Sequence, residues 1–421
     1  MDKLRIEGGA ALKGAVEVSG SKNSLLPILA AALLTKETCV IRNAPDLRDT
    51  ISMLRILKYL GVPYEFKDHK ITLKPNGLER YEAPYKLVST MRASFCVLGP
   101  LLARYKKAKV SLPGGCVIGL RPVDLHLKGL ARLGVDIQIR EGYVIADARR
   151  LSGQHIYLGG PFGSSVLATD NVMMAATLAR GTTIIENAAC EPEVVDLARF
   201  LIKMGARIQG EGSPRIEIKG VKELHGCEYE IIPDRVEAAT LIMAAGVTGG
   251  EVFVRKARPE HMMAVLEKLG EAGLNMKIQR DGILVKRSLR RFRPTDVVTL
   301  PYPGFPTDVQ AQFMTLMAIT NGISVITEKI YPDRFMHVAE LNRMGAQVKR
   351  EGPYAVVHGI RQLSAAPVMA SDLRASAALV LAGLVAKGRT EVSRIYHLDR
   401  GYERLDDKLK SLGAKIERMK E

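Results

Sequence analysis

Apolar residues fall in six nearly unbroken blocks along the chain, at 23–34, 92–103, 171–179, 235–245, 308–319 and 373–386. Blocks of this length with no polar face predict helices buried on all sides. A residue able to cap a helix start stands at or just before each block: Ser21, Thr90, Asp170, Asp234, Thr307 and Ser371. A β-rich run follows, as in Thr182-Thr-Ile-Ile185 or Ser324-Val-Ile-Thr327, and predicts a strand. Next comes a second helix with one apolar face; in its first copy Leu47, Ile51, Leu54 and Leu57 keep helical spacing. That helix closes on Leu60-Gly61-Val62. The ending returns at Leu133-Gly134-Val135, Met204-Gly205-Ala206, Ala272-Gly273-Leu274, Met344-Gly345-Ala346 and Leu412-Gly413-Ala414. The repeat of about 70 residues is longer than common solenoid units. A short strand follows each ending, for example over 136–140 or 347–350.

The repeating unit is thus buried helix, strand, amphipathic helix, strand. Six copies predict an α/β protein of two domains, each of three repeated βαβ-type units with apolar helices inside and strands outside, an inside-out α/β barrel. The break is expected near Pro233, so that 22–232 forms one domain and 233–421 belongs to the other. Residues 1–21 precede the first unit, and pattern alone lets them pair with either domain.

Composition adds that the chain is an ordinary globular protein, with 47% hydrophobic and 25% charged residues among 421. The blocks at 25–34 and 375–386 are too short to span a bilayer. Met1-Asp2-Lys3-Leu4-Arg5 lacks the apolar core of a secretion signal. Five cysteines, an odd number with no metal-ligand spacing, argue against a disulfide framework or a zinc site and suit a reducing cytoplasm.

The net charge of +16 calls for an anionic partner. Without Trp, and with 5% aromatic residues, the chain is poorly equipped to stack on single-stranded nucleic acid. The cations gather at helix starts. Lys22, Arg92, Arg235 and Arg374 open buried helices, and Arg48, Arg121, Arg258, Arg334 and Arg400 stand near the start of second helices. Helix starts ordinarily disfavour cations, unless an anion shares the site with the backbone N–H groups. The placement favours small anions over a continuous phosphate track. No Walker loop, Gly-x-Gly-x-x-Gly, His-Glu-x-x-His or Gly-x-Ser-x-Gly occurs, so side chains and helix ends must hold any phosphate.

One stretch has the character of a reactive loop: Ser111-Leu-Pro-Gly-Gly-Cys-Val-Ile-Gly-Leu-Arg-Pro-Val-Asp-Leu-His126. It runs from a strand end into a helix expected over 122–133, with Pro122 in the first turn. Cys116 lies among glycines and ahead of Arg121. Its residues alone leave two readings, a tuned thiol or a small apolar residue in a turn. Asp308 likewise reads as a base or as part of a cap with Thr307.

Ser19-Gly-Ser-Lys-Asn23, Thr90-Met-Arg-Ala-Ser94, Ser111-Leu-Pro-Gly-Gly-Cys116, Arg121-Pro-Val-Asp-Leu-His126, Phe305-Pro-Thr-Asp308, Arg334-Phe-Met-His337, Asp372-Leu-Arg-Ala-Ser376 and His397-Leu-Asp-Arg-Gly-Tyr-Glu403 together resemble the enolpyruvyl transferases that act on UDP-N-acetylglucosamine. The resemblance runs the whole length. It implies two three-unit domains with the active site between them, and it places residues 1–21 in the second domain. It implies the first committed step of peptidoglycan synthesis: addition of the sugar 3-hydroxyl to phosphoenolpyruvate and elimination of phosphate, with no metal or other cofactor.

By the same resemblance Cys116 is the acid toward C3 and a site of covalent phosphoenolpyruvate attachment, and Asp308 is the base. Lys22, Arg121 and Arg400 hold the phosphate, and Arg334 and Arg374 the carboxylate. Asn23, Arg92, Arg121, Pro122, Val123, Asp124, Leu125, Asp308 and Ile330 frame the nucleotide sugar. The partners implied are these small substrates, not nucleic acid or membrane. Residues 159–171 depart from the family pattern, which has a shorter Ser-Val-Gly turn there, and no contact is assigned in them. The sister enzyme, 5-enolpyruvylshikimate-3-phosphate synthase, lacks the Cys loop. An RNA-binding or RNA-end-processing protein of similar repeats would need a continuous basic face. A non-catalytic paralogue would not be expected to keep Lys22, Cys116, Asp308 and Arg400.

Overall fold

The computed structural model describes residues 2–114, 123–286 and 292–420. They fall into two compact units, one of residues 20–232 and one of residues 2–19 with 233–420.

In the 20–232 unit the buried helices are Lys22–Ala31, Leu98–Tyr105 and Val166–Ala176. The amphipathic ones are Arg48–Tyr59, Asp124–Arg132 and Pro192–Lys203. Three four-stranded sheets accompany them. In the first, Glu228–Glu230 pairs in parallel with Cys39–Arg42, which pairs antiparallel with Lys70–Leu73, and that with Tyr64–Lys67. The other two repeat this order, one parallel pair and then two antiparallel ones.

The second unit is built the same way. Its buried helices are Arg235–Val247, Gln310–Ala318 and Leu373–Val385, and its amphipathic ones Met263–Glu271, His337–Arg343 and Leu405–Ser411. After Leu405–Ser411 comes the strand Lys415–Lys420, and Asp2–Glu7 pairs with it where the other sheets have the second strand of a hairpin. Leu4 lies opposite Val392 on one side and Arg418 on the other. Each unit has its own apolar core, and a wholly buried Leu in either contributes roughly 1.5–3 kcal/mol.

The glycines of the six recurrent endings, Gly61, Gly134, Gly205, Gly273, Gly345 and Gly413, all take positive φ, from 87° to 100°. That left-handed conformation ends each amphipathic helix and costs a residue with a Cβ about 1 kcal/mol or more.

Among the described residues the strands form six four-stranded sheets, three in each unit, in line with the six repeated units expected. Several other expectations need correction. The block at 92–103 opens as a 3₁₀ turn, Arg92–Val97, before becoming α-helical, and 32–34 is likewise 3₁₀. The helix expected at 171 begins at Val166, because Ser165 accepts from Ala168 N–H; Asp170 lies inside it. Ser21 and Asp234 cap as expected, but Asp372 takes the place of Ser371. Thr90 gives its hydroxyl to Leu87 C=O, and Thr307 gives its own to Glu328. The helix expected over 122–133 is described as Asp124–Arg132, with Pro122 outside the described residues.

Candidate active site

In the second unit the sequence-predicted residues Asp308, Arg334 and Arg374 meet. Asp308 sits in the turn Thr307–Val309 that leads into Gln310–Ala318. Its Oδ1 accepts from Arg334 Nη1 at 2.7 Å and its Oδ2 from Arg374 Nη2 at 3.1 Å. Both arginines are nearly sealed, at 4% and 2% side-chain exposure, while Asp308 keeps 28%.

Burial pushes the Asp308 carboxyl up, but the Arg374 and Arg334 guanidiniums outweigh it and hold the group well below the usual carboxylate range. Arg374 is the second residue of its helix and its N–H is tied to Asp372 Oδ1 at 2.7 Å. Its guanidinium lies 5.3 Å from the Tyr402 ring centre, and its Nε and Nη1 are buried. Arg334 precedes the helix His337–Arg343 and also donates to Thr307 Oγ1 at 3.1 Å.

Ile330 is tied to the same node. Its N–H donates to Glu328 Oε1 at 2.8 Å, and Glu328 Oε2 accepts from Thr307. Arg400, half-buried, ends the turn Leu398–Arg400. His397 beside it is pushed down by burial and by the Arg400 charge.

The 20–232 unit holds Lys22, the first residue of a buried helix, with Nζ 3.2 Å from Asp49 Oδ2 and both side chains buried. The expected helix-start cations are therefore partly answered from within, Lys22 by Asp49 and Arg374 by Asp308. Asn23 is half-buried beside Lys22. Arg92 opens its 3₁₀ turn, and its charge adds to the burial that pushes His126 down to about 3. His126 is neutral as a result. Asn171 donates to its Nδ1 at 3.0 Å, which leaves the proton on Nε2. Val123 and Leu125 are half-buried and Asp124 is exposed. Cys116, Arg121 and Pro122 lie outside the described residues.

A family model for EPSP synthase (3-phosphoshikimate 1-carboxyvinyltransferase) matches residues 6–409. The UDP-N-acetylglucosamine 1-carboxyvinyltransferase of Methylacidiphilum infernorum is 56% identical over 421 residues, covering 100% of this chain and 99% of the relative. The chain belongs to this enolpyruvyl transferase family. A transferase of the same description from Nitratidesulfovibrio vulgaris is 55% identical over 418 residues, 99% of each chain. Among solved structures, the enolpyruvyl transferase NikO from Streptomyces tendae matches with a TM-score of 0.90 and 26% identity over 99% of each chain. An EPSP synthase from Acinetobacter baumannii matches with a TM-score of 0.76 at 20% identity over 100% of each, a likeness of fold alone.

Sequence reasoning did not single out three buried carboxylates that pair with, cap or brace the candidate residues. Asp49 is the internal counter-ion of Lys22 and carries no motif. Asp372 was within a quoted motif and is both the true cap and a charge acting on Arg334. Glu328 stands outside every motif, and only its buried contacts reveal it.

Proposed function

We propose that the chain transfers the enolpyruvyl group of phosphoenolpyruvate to the 3-hydroxyl of UDP-N-acetylglucosamine with release of phosphate, the first committed step of peptidoglycan synthesis. The observation that carries this is the 56% identity, over the whole chain, to a transferase of that description. In the reaction the sugar oxygen adds to C2 of phosphoenolpyruvate. Asp308 takes the hydroxyl proton and Cys116 gives a proton to C3. C3 of the resulting adduct then loses a proton, phosphate leaves C2, and the double bond returns.

Lys22, Arg121 and Arg400 hold the phosphate, while Arg334 and Arg374 take the carboxylate, whose planar shape suits paired guanidiniums. Asn23, Arg92, Arg121, Pro122, Val123, Asp124, Leu125, Asp308 and Ile330 frame the nucleotide sugar. Both substrates are small, charged and soluble, so nucleic acid and membrane have no part and the reaction belongs in the cytoplasm. Among the described residues no helix is long and apolar enough to cross a membrane.

A carboxylate held by two guanidiniums is a weak base. The substrate carboxylate competes for the same two arginines. As the arginines turn to the substrate, Asp308 regains the basicity needed when the hydroxyl arrives. Phosphoenolpyruvate thus arms the base.

A phosphate-release assay tests the proposal. Release should require phosphoenolpyruvate and UDP-N-acetylglucosamine together. Release supported by shikimate 3-phosphate, and not by the nucleotide sugar, would assign the chain to the sister reaction.

A further inference from the structure

We infer that Glu328 is a positioning residue of this transfer: its carboxylate sets Thr307, and through Thr307 the Arg334–Asp308 pair, while it holds the turn that presents Ile330. The role in turnover rests on the function proposed above. Glu328 follows the strand Gly322–Thr327 and is completely buried, at 0% exposure.

No cation pairs with Glu328 among the described residues; four donors satisfy it instead. Oε1 accepts from Thr299 Oγ1 at 2.6 Å, Ile330 N at 2.8 Å and Tyr331 N at 2.9 Å, and Oε2 accepts from Thr307 Oγ1 at 2.8 Å. A buried carboxylate is tolerated when hydrogen bonds replace its water in this way.

The direction of these bonds matters. A carboxylate only accepts, so Thr307 must spend its one proton on Glu328. Its oxygen is then turned to accept from Arg334 Nη1 at 3.1 Å, and the same Nη1 donates to Asp308 Oδ1 at 2.7 Å. The line runs Glu328, Thr307, Arg334, Asp308, and in it only the Thr307 hydroxyl has a choice of direction, which Glu328 fixes. The other oxygen of Glu328 clamps the backbone of Ile330 and Tyr331, so one side chain sets both the base and the sugar-framing turn.

Glu328→Gln disturbs this line with little change of shape. The amide oxygen is needed by the Thr299 hydroxyl and the two backbone N–H groups, which leaves the NH2 facing Thr307. Thr307 then meets two donors and has no acceptor for its own proton. Thr307→Val removes the same link from the other end.

Steady-state kinetics of both single variants and the double variant test the inference, with melting followed by circular dichroism as the check on folding. Each single variant should lower kcat about tenfold, the worth of one ordinary hydrogen bond. The double variant should be no slower than the worse single, since both cut one line. Losses that multiply in the double variant, or an unchanged kcat in either single, would overturn the inference. Should Glu328→Gln not fold, Thr307→Val alone decides by the same kcat criterion. A second readout needs no turnover: ¹³C titration of the Asp308 carboxyl should move up in a folded Glu328→Gln protein, and in Thr307→Val otherwise, while an unmoved titration overturns the inference. If the unaltered protein releases no phosphate, the proposed function fails, and the carboxyl titration still decides the positioning.

Discussion

Asp308→Asn removes one charge and keeps the shape of the residue. The charge lies between two guanidiniums of 4% and 2% exposure. Leaving a buried ion without its counter-charge costs about 3–5 kcal/mol. Asp308 itself is 28% exposed, so water reaches its side of the node, and a loss of about 2–3 kcal/mol is expected. The pH dependence follows from the sign of the shift. The folded carboxyl lies well below its unfolded value, so its stabilisation is complete above about pH 4 and drains away as pH falls toward the folded value. Chemical denaturation followed by circular dichroism should therefore show the gap between wild type and variant constant from pH 7 to about pH 5 and closing below about pH 4. Turnover should fall by about 10²–10⁴, the usual worth of a general base. Equal stability at pH 7 would mean that the Asp308 charge does not hold the two arginines, and a kcat within about tenfold of wild type would mean that Asp308 is not the base.

Two further outcomes follow from the thiols and from His126. A phosphonate epoxide resembling phosphoenolpyruvate should alkylate Cys116, faster with the nucleotide sugar present. Burial pushes the Cys39 thiol up to about 12 and holds the Cys96 thiol well above its ordinary value, which keeps both unreactive. Peptide mass spectrometry finding label on another cysteine would contradict this. So would a Cys116→Ser variant turning over at the wild-type rate, whereas Cys116→Asp should retain turnover and escape the epoxide. His126, pushed down to about 3, contributes stability that is complete above its unfolded value of about 6.5 and lost as pH falls toward 3. Unfolding free energy should therefore drop more steeply below about pH 6.5 in wild type than in His126→Gln, by up to about 1.4 kcal/mol per pH unit; parallel slopes would count against a neutral buried imidazole.

The repeat was legible because it is written in local chemistry. Gly61 and its five counterparts need the left-handed region, and the apolar blocks need burial, wherever the rest of the chain lies. Caps were less legible. Ser371 and Asp372 are neighbours of equal capping ability, and only the backbone angle entering the helix selects Asp372. Asp170 looked like a cap because it is polar, yet it lies buried inside a helix with both oxygens unpartnered among the described residues, and burial raises its carboxyl well above the usual range. Motifs marked Asp308, Arg334 and Arg374 as participants, but not as partners of one another. Their meeting depends on packing between segments 26 and 66 residues apart. Lys22 and Asp49, 27 residues apart, show the same limit. Glu328 shows it most fully, since nothing about a Glu after a strand announces that two hydroxyls and two N–H groups converge on it.

Addition–elimination is tested most directly by running the reaction in D₂O and reading the product by mass spectrometry and proton NMR. Protonation at C3 makes a methyl group that then gives up one of its hydrogens. Deuterium should therefore appear in the vinyl CH₂ of the enolpyruvyl nucleotide sugar, formed with phosphate in equal amount. A product whose vinyl hydrogens all come from phosphoenolpyruvate would contradict addition–elimination.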